Sequence, residues 1–131
     1  MAGLVLFAAE NIYREAAVDY FQSRPDGHNI LGIIDTLEEL EEVCSRLEPD
    51  AVLFLSVPAE RRLKARLKNI REKTPNTRVI VVTNRHYSFS GNKRLAEMAD
   101  TVISDQNDPQ TLISAILMTL KGYSIKPKKN L

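Results

Sequence analysis

The chain contains a single cysteine, Cys44, among its 131 residues. One thiol excludes an internal disulfide and any cysteine-cluster zinc site. The two histidines, His28 and His86, stand too far apart in sequence to suggest a metal-binding motif. No apolar run approaches the ~20 residues of a membrane span. The first residues lack a positively charged start ahead of their apolar stretch, so no signal peptide is read and a reduced, cytoplasmic location is expected. Neither sign of charge dominates: 18 basic against 17 acidic residues leave a net charge of +1. That balance argues against a strongly electrostatic nucleic-acid or membrane binder. There is no G-x-G-x-x-G, no P-loop and no supported Ser-His-Asp set, and no cofactor or enzymatic activity is expected. What remains is a chain of ordinary globular composition, 44% apolar and 27% charged. Its length suits one domain able to bury roughly two-thirds of its unfolded surface.

Four short segments are dense in Val, Ile, Leu and Phe: Leu4–Phe7, Ile30–Ile34, Ala51–Leu55 and Arg78–Val82, with a weaker fifth at Thr101–Ser104. They are nearly continuous apolar runs, as strands covered on both faces require. Helical patterns lie between them. Asn11 to Ser23 spaces Ile12, Ala16 and Tyr20 helically. Thr36, with Glu39 three residues later, has capping-box spacing, and Leu37, Leu40, Val43, Cys44 and Leu47 form the stripe that follows. Ala59–Lys73 and the shorter Asn92–Met98 come next. Asp108 and Pro109 suit the start of a last helix, and Gly122 its stop. Right-handed crossovers then predict an α/β fold: a doubly wound, five-stranded parallel sheet in the flavodoxin-like order 2-1-3-4-5, with helices on both faces. Residues 1–123 form one domain in this reading, and 124–131, with Lys126, Pro127, Lys128 and Lys129, a basic tail or linker.

Ligands of such sheets bind at the carboxyl ends of the strands. The residues there are Ala8, Ala9 and Glu10, then Asp35, Leu55 and Ser56, Thr83 and Asn84, Ser104 and Asp105. In their order and spacing, several motifs resemble receiver domains of bacterial response regulators, above all those preceding a LuxR-type helix-turn-helix. The motifs are Glu10–Glu15, Leu31-Gly32, Thr36–Leu40, Pro49–Phe54, Leu67–Thr83, Ala99-Asp100 and Leu117–Pro127. The resemblance covers nearly the whole chain, from Leu4 to Pro127.

The resemblance implies a phosphorylation site that these residues do not supply. Receivers phosphorylate an aspartate at the end of strand 3 and hold Mg²⁺ with it and an acidic pair after strand 1; a hard dication needs such oxygen ligands. Here the acidic pair aligns with Ala8 and Ala9. The phosphoacceptor position is Leu55 counting forward from Pro49-Asp50, or Phe54 counting back from Pro58. The family's lysine after strand 5 aligns with Asp105, an anion where a phosphoryl group needs a cation. Only Thr83, the switch hydroxyl, keeps its type. The implied protein is a degenerate, non-phosphorylatable receiver: a signalling or transcription-regulatory module acting by protein–protein contact.

The remaining candidates each carry a plainer reading. Glu10 as a lone metal ligand competes with a solvated carboxylate, and Ser56 as a substitute acceptor lacks a base. Asn84-Arg85-His86 as an anion site competes with an exposed loop. Cys44 reads as core. Basic residues dominate 59–73 by 7 to 2, and acidic ones dominate the helix after Thr36 by 5 to 1. These runs suit solvated faces or, less simply, a complementary contact. In the last helix, Leu117 and Met118 flank the stripe formed by Leu112, Ile113, Ile116 and Leu120. They are the candidate interface for a homodimer or another regulator, with DNA reached only through a further C-terminal domain and no membrane partner. The alternatives are a flavodoxin-like small-ligand or anion binder, using Asn84, Arg85, Ser104 and Asp105, and the receiver-like domain of a pilus-assembly localisation ATPase.

Overall fold

The computed structural model describes residues 2–7, 19, 28–55, 63–83, 97–104 and 109–125. Five strands form one sheet: β1 (Ala2–Phe7), β2 (His28–Ile34), β3 (Ala51–Phe54), β4 (Arg78–Thr83) and β5 (Thr101–Ser104). Three helices lie among the described residues: α1 (Leu37–Leu47), α2 (Leu63–Lys73) and α3 (Pro109–Leu120). The strand order is β2-β1-β3-β4-β5 and every pairing is parallel. This is the predicted doubly wound topology. The expected helices at Asn11–Ser23 and Asn92–Met98 fall largely outside the described residues. Of them, Asp19 and the pair Glu97-Met98 are described, and all three are helical.

The continuous apolar runs are explained by two cores, one on each face of the sheet. Val5, Phe7, Val52, Phe54, Val79, Val81 and Val102 face α1 and α2, where Leu37, Leu40, Val43, Cys44, Leu67 and Ile70 meet them. Leu4, Leu6, Ala51, Leu53, Ile80, Val82 and Ile103 face α3, where Ile113, Ala115 and Ile116 close the second core. Alternate residues along each strand serve opposite layers, so neither set can be polar.

Local chemistry sets the element ends. Thr36, in extended conformation, caps α1 by accepting the Glu39 amide at 3.3 Å. Glu48 ends α1 in the left-handed region at φ 46°, its amide donating to the Cys44 carbonyl at 3.0 Å. Leu47, expected in the buried stripe, is instead 41% exposed. It is the last residue of α1, directly before that reversal. α3 stops as expected at Gly122, whose φ of +105° disfavours any side chain. The Gly122 amide reaches the Thr119 carbonyl at 2.9 Å and the Tyr123 amide the Met118 carbonyl at 3.1 Å. That pair of bonds is the Schellman pattern.

Two aspartates fasten the amino ends of the strands. Asp50 accepts the Gly3 amide on its carboxylate at 2.7 Å and returns its own amide to the Gly3 carbonyl at 2.8 Å. Asp100 repeats the arrangement at the other side of the sheet. Its carboxylate accepts the Val79 amide at 2.8 Å, its amide donates to the Val79 carbonyl at 2.8 Å, and Arg71 of α2 donates to both carboxylate oxygens at 3.1 and 3.4 Å. Partial burial alone would raise the Asp100 carboxyl. The hydrogen bonds from Arg71 and Val79 and the charges of Arg71 and Arg78 outweigh it and hold the group below the usual carboxylate range.

Candidate functional site

The strands deliver their carboxyl ends to one edge. Phe7 pairs with Ile34 and Phe54, and Thr83 pairs with Ser104. Leu55 continues the line of β3, its amide donating to the Phe7 carbonyl at 2.9 Å. Both counts for the phosphoacceptor position therefore end beside the last residue of β1, and both end on buried apolar side chains. Leu55 is 7% exposed and belongs to the α3-side core. Phe54 is 1% exposed, belongs to the opposite core, and sets its ring 5.2 Å from that of Phe7. A nucleophile must present its reacting atom to the phosphoryl donor; neither position holds an oxygen, and both are packed against hydrocarbon.

Thr83 closes β4 at this edge, and Asp35 is exposed just beyond β2. Ala8, Ala9, Glu10, Ser56, Asn84, Arg85, His86 and Asp105 lie outside the described residues. Among the described residues, no group of three or more His, Cys, Asp or Glu side chains could hold a metal ion. Cys44, on α1, sits 1% exposed in the core between that helix and the sheet, and burial pushes its thiol up to about 11, so it stays a neutral packing group.

The oppositely charged runs meet within the molecule. Glu41 of α1 accepts from Lys73 at 2.8 Å and lies 3.6 Å from Arg66, both on α2. On α3, Leu117 is half-buried against the core, whereas Met118 is 41% exposed. The Schellman turn sets the residue after Gly122, Tyr123, next to Met118; Tyr123 is 58% exposed. Sequence reasoning singled out Met118 without Tyr123, because their proximity comes from a chain reversal and not from helical spacing.

No protein-family model matches the chain, and no curated protein matches it. Solved structures do. A LuxR-family two-component response regulator from an Aurantimonas species is similar at a TM-score of 0.76 and 22% identity, over 96% of this chain and 89% of that one. The isolated receiver domain of RcsB from Salmonella enterica serovar Typhimurium, solved with a phosphomimetic, gives 0.75 at 16% identity, over 97% and 94%. The receiver domain of the response regulator NarL from Mycobacterium tuberculosis gives 0.74 at 18%, over 92% and 97%. The chain thus has the CheY-like receiver fold. No helix among the described residues is long and apolar enough to cross a membrane.

Proposed function

We propose that this chain is a receiver-type regulatory module that works without phosphotransfer, through protein–protein contact and pairing with a second copy. The observation that carries the reading is the end of β3: by the two counts the phosphoacceptor position of receivers falls on Leu55 or Phe54, and both side chains are apolar and packed in a core beside β1. The sequence supports it, with Ala8 and Ala9 in place of the metal-binding acidic pair and Asp105 in place of the phosphate-binding lysine. Replacing three carboxylates and a lysine in this way removes nucleophile, metal ligands and counter-charge together. Thr83 alone keeps its type, and a switch hydroxyl has nothing to report when no phosphoryl group arrives. Such a module either holds one conformation or changes state when a partner binds one form more tightly. Met118 and Tyr123, with Leu117 behind them, supply the contact.

Incubation with acetyl phosphate and Mg²⁺ tests the phosphate half of the reading. The intact mass is expected to stay unchanged. A stoichiometric gain of about 80 Da, the mass of a phosphoryl group, labile to hydroxylamine, would refute it.

A further inference from the structure

Two threonines are the most deeply buried polar side chains among the described residues. Thr101 opens β5 and Thr119 lies in the last turn of α3, and both are fully shielded from solvent. Buried hydroxyls need partners, and here the partners fix which way each proton points. The Thr119 hydroxyl reaches the Ala115 carbonyl at 2.7 Å. A carbonyl only accepts, so the single proton of Thr119 is committed there. Thr101 and Thr119 also bond to each other through their hydroxyl oxygens, so that bond takes the proton of Thr101. The Thr101 oxygen is left as an acceptor, and the Ile125 amide donates to it at 3.3 Å. The result is a one-way chain: Ile125 N–H to Thr101 O–H to Thr119 O–H to Ala115 C=O.

Ile125, beyond the end of α3, is therefore not simply solvated. Ile125, expected in the basic tail, forms a parallel bridge with Thr101, accepts the Val102 amide on its carbonyl at 2.7 Å, and packs against the α3-side core. It covers the outer edge of β5, which would otherwise offer unpaired backbone groups.

We propose that Ile125 is a latch that ties the path of the chain beyond α3 to the seating of α3 on β5, with the Thr101 hydroxyl as its catch. A shift of α3 at Thr119 withdraws the acceptor that orients Thr101 and frees Ile125. In the reverse direction, displacing Ile125 leaves the hydroxyl chain without its donor and loosens α3. Hydrogen-bond chains of this kind polarise one another, so the members act together. The latch operates whether or not the phosphate site functions.

Amide hydrogen exchange on the full chain tests it. In Thr101→Val, protection of Ile125 and Val102 should fall roughly five- to tenfold, the fold-change of one hydrogen bond's net contribution. Amides of β1 and β3 should keep their rates, and Thr101→Ser, which retains the hydroxyl, should keep the latch closed. Should Thr101→Val fail to fold, Ile125→Pro removes the donor without touching the core hydroxyls, and Val102 should show the same local loss. Unchanged protection at Ile125 and Val102 in Thr101→Val would overturn the proposal, as would a loss spread evenly across the sheet. In Ile125→Pro, unchanged protection at Val102, or a loss shared by the whole sheet, would overturn it equally.

Discussion

At the scale of single residues, the motifs that carried the family resemblance hold the strands in place. Pro49-Asp50 and Ala99-Asp100 supplied part of its spacing; in the structure each aspartate binds the backbone of a neighbouring strand through both its carboxylate and its amide. The sequence could not show this, because the partners, Gly3 and Val79, are 47 and 21 residues away. Asp100 also gives a pH signature. Its carboxyl is held below the ordinary value when folded, so it favours folding above the unfolded pKa of about 3.9 and loses that effect as pH falls toward the lower folded value. Asp100→Asn should therefore lower stability at neutral pH by about 1–2 kcal/mol, the scale of a hydrogen bond to a charged group reduced by solvent screening of the partly exposed pair with Arg71. The gap between the mutant and parent melting curves should narrow as pH falls below about 4 and close only below the lowered folded pKa. A constant gap down to acid pH would show that the charge of Asp100 contributes nothing. Leu55 was legible in another sense. Its identity is what the proposal of a receiver without a nucleophile starts from, but only the structure shows the two competing counts ending on opposite cores.

At the scale of elements, periodicity was read well wherever both ends carried local chemistry. The helix after Thr36 starts where the cap spacing placed it, and α3 stops at Gly122. β5 spans its predicted run Thr101–Ser104, β3 stops one residue short of Leu55, and β1, β2 and β4 run one or two residues longer than their apolar runs, pairing extending to polar ends such as His28 and Thr83. The reversal at Glu48 had no signal, since a glutamate with positive φ looks like any other helix-terminal glutamate. The cap itself is testable. Thr36→Ala removes the acceptor for the Glu39 amide and should cost about 1 kcal/mol in denaturant unfolding, with the slope unchanged. Thr36→Asp should restore most of it, since aspartate caps equally well and adds charge at the positive end of the helix. Equal stability of Thr36→Ala and the parent would mean that packing of Leu37 and Leu40 alone sets the start of α1.

At the scale of the whole molecule, topology was the most legible property, because two-sided apolar strands alternating with helices admit few arrangements. Assembly was the least legible, because it depends on which apolar groups a fold leaves uncovered. The oppositely charged runs, which suggested an intermolecular contact, are engaged in part within the molecule through Glu41, Arg66 and Lys73. Met118 and Tyr123, joined by a backbone hydrogen bond at the end of α3, are two large hydrophobic residues left exposed there. Covering one large apolar side chain is worth roughly 1.5–3 kcal/mol when complete, and a two-fold pair counts each contact twice. Charge at position 118, as in Met118→Glu, should weaken pairing while leaving the melting of the domain nearly unchanged. Sedimentation velocity at micromolar concentration, with and without acetyl phosphate and Mg²⁺, decides whether association needs a phosphoryl group. A dimer of the same sedimentation coefficient is expected in both conditions; a monomer in both, or a dimer that forms only with the donor, would be incompatible with pairing independent of phosphate.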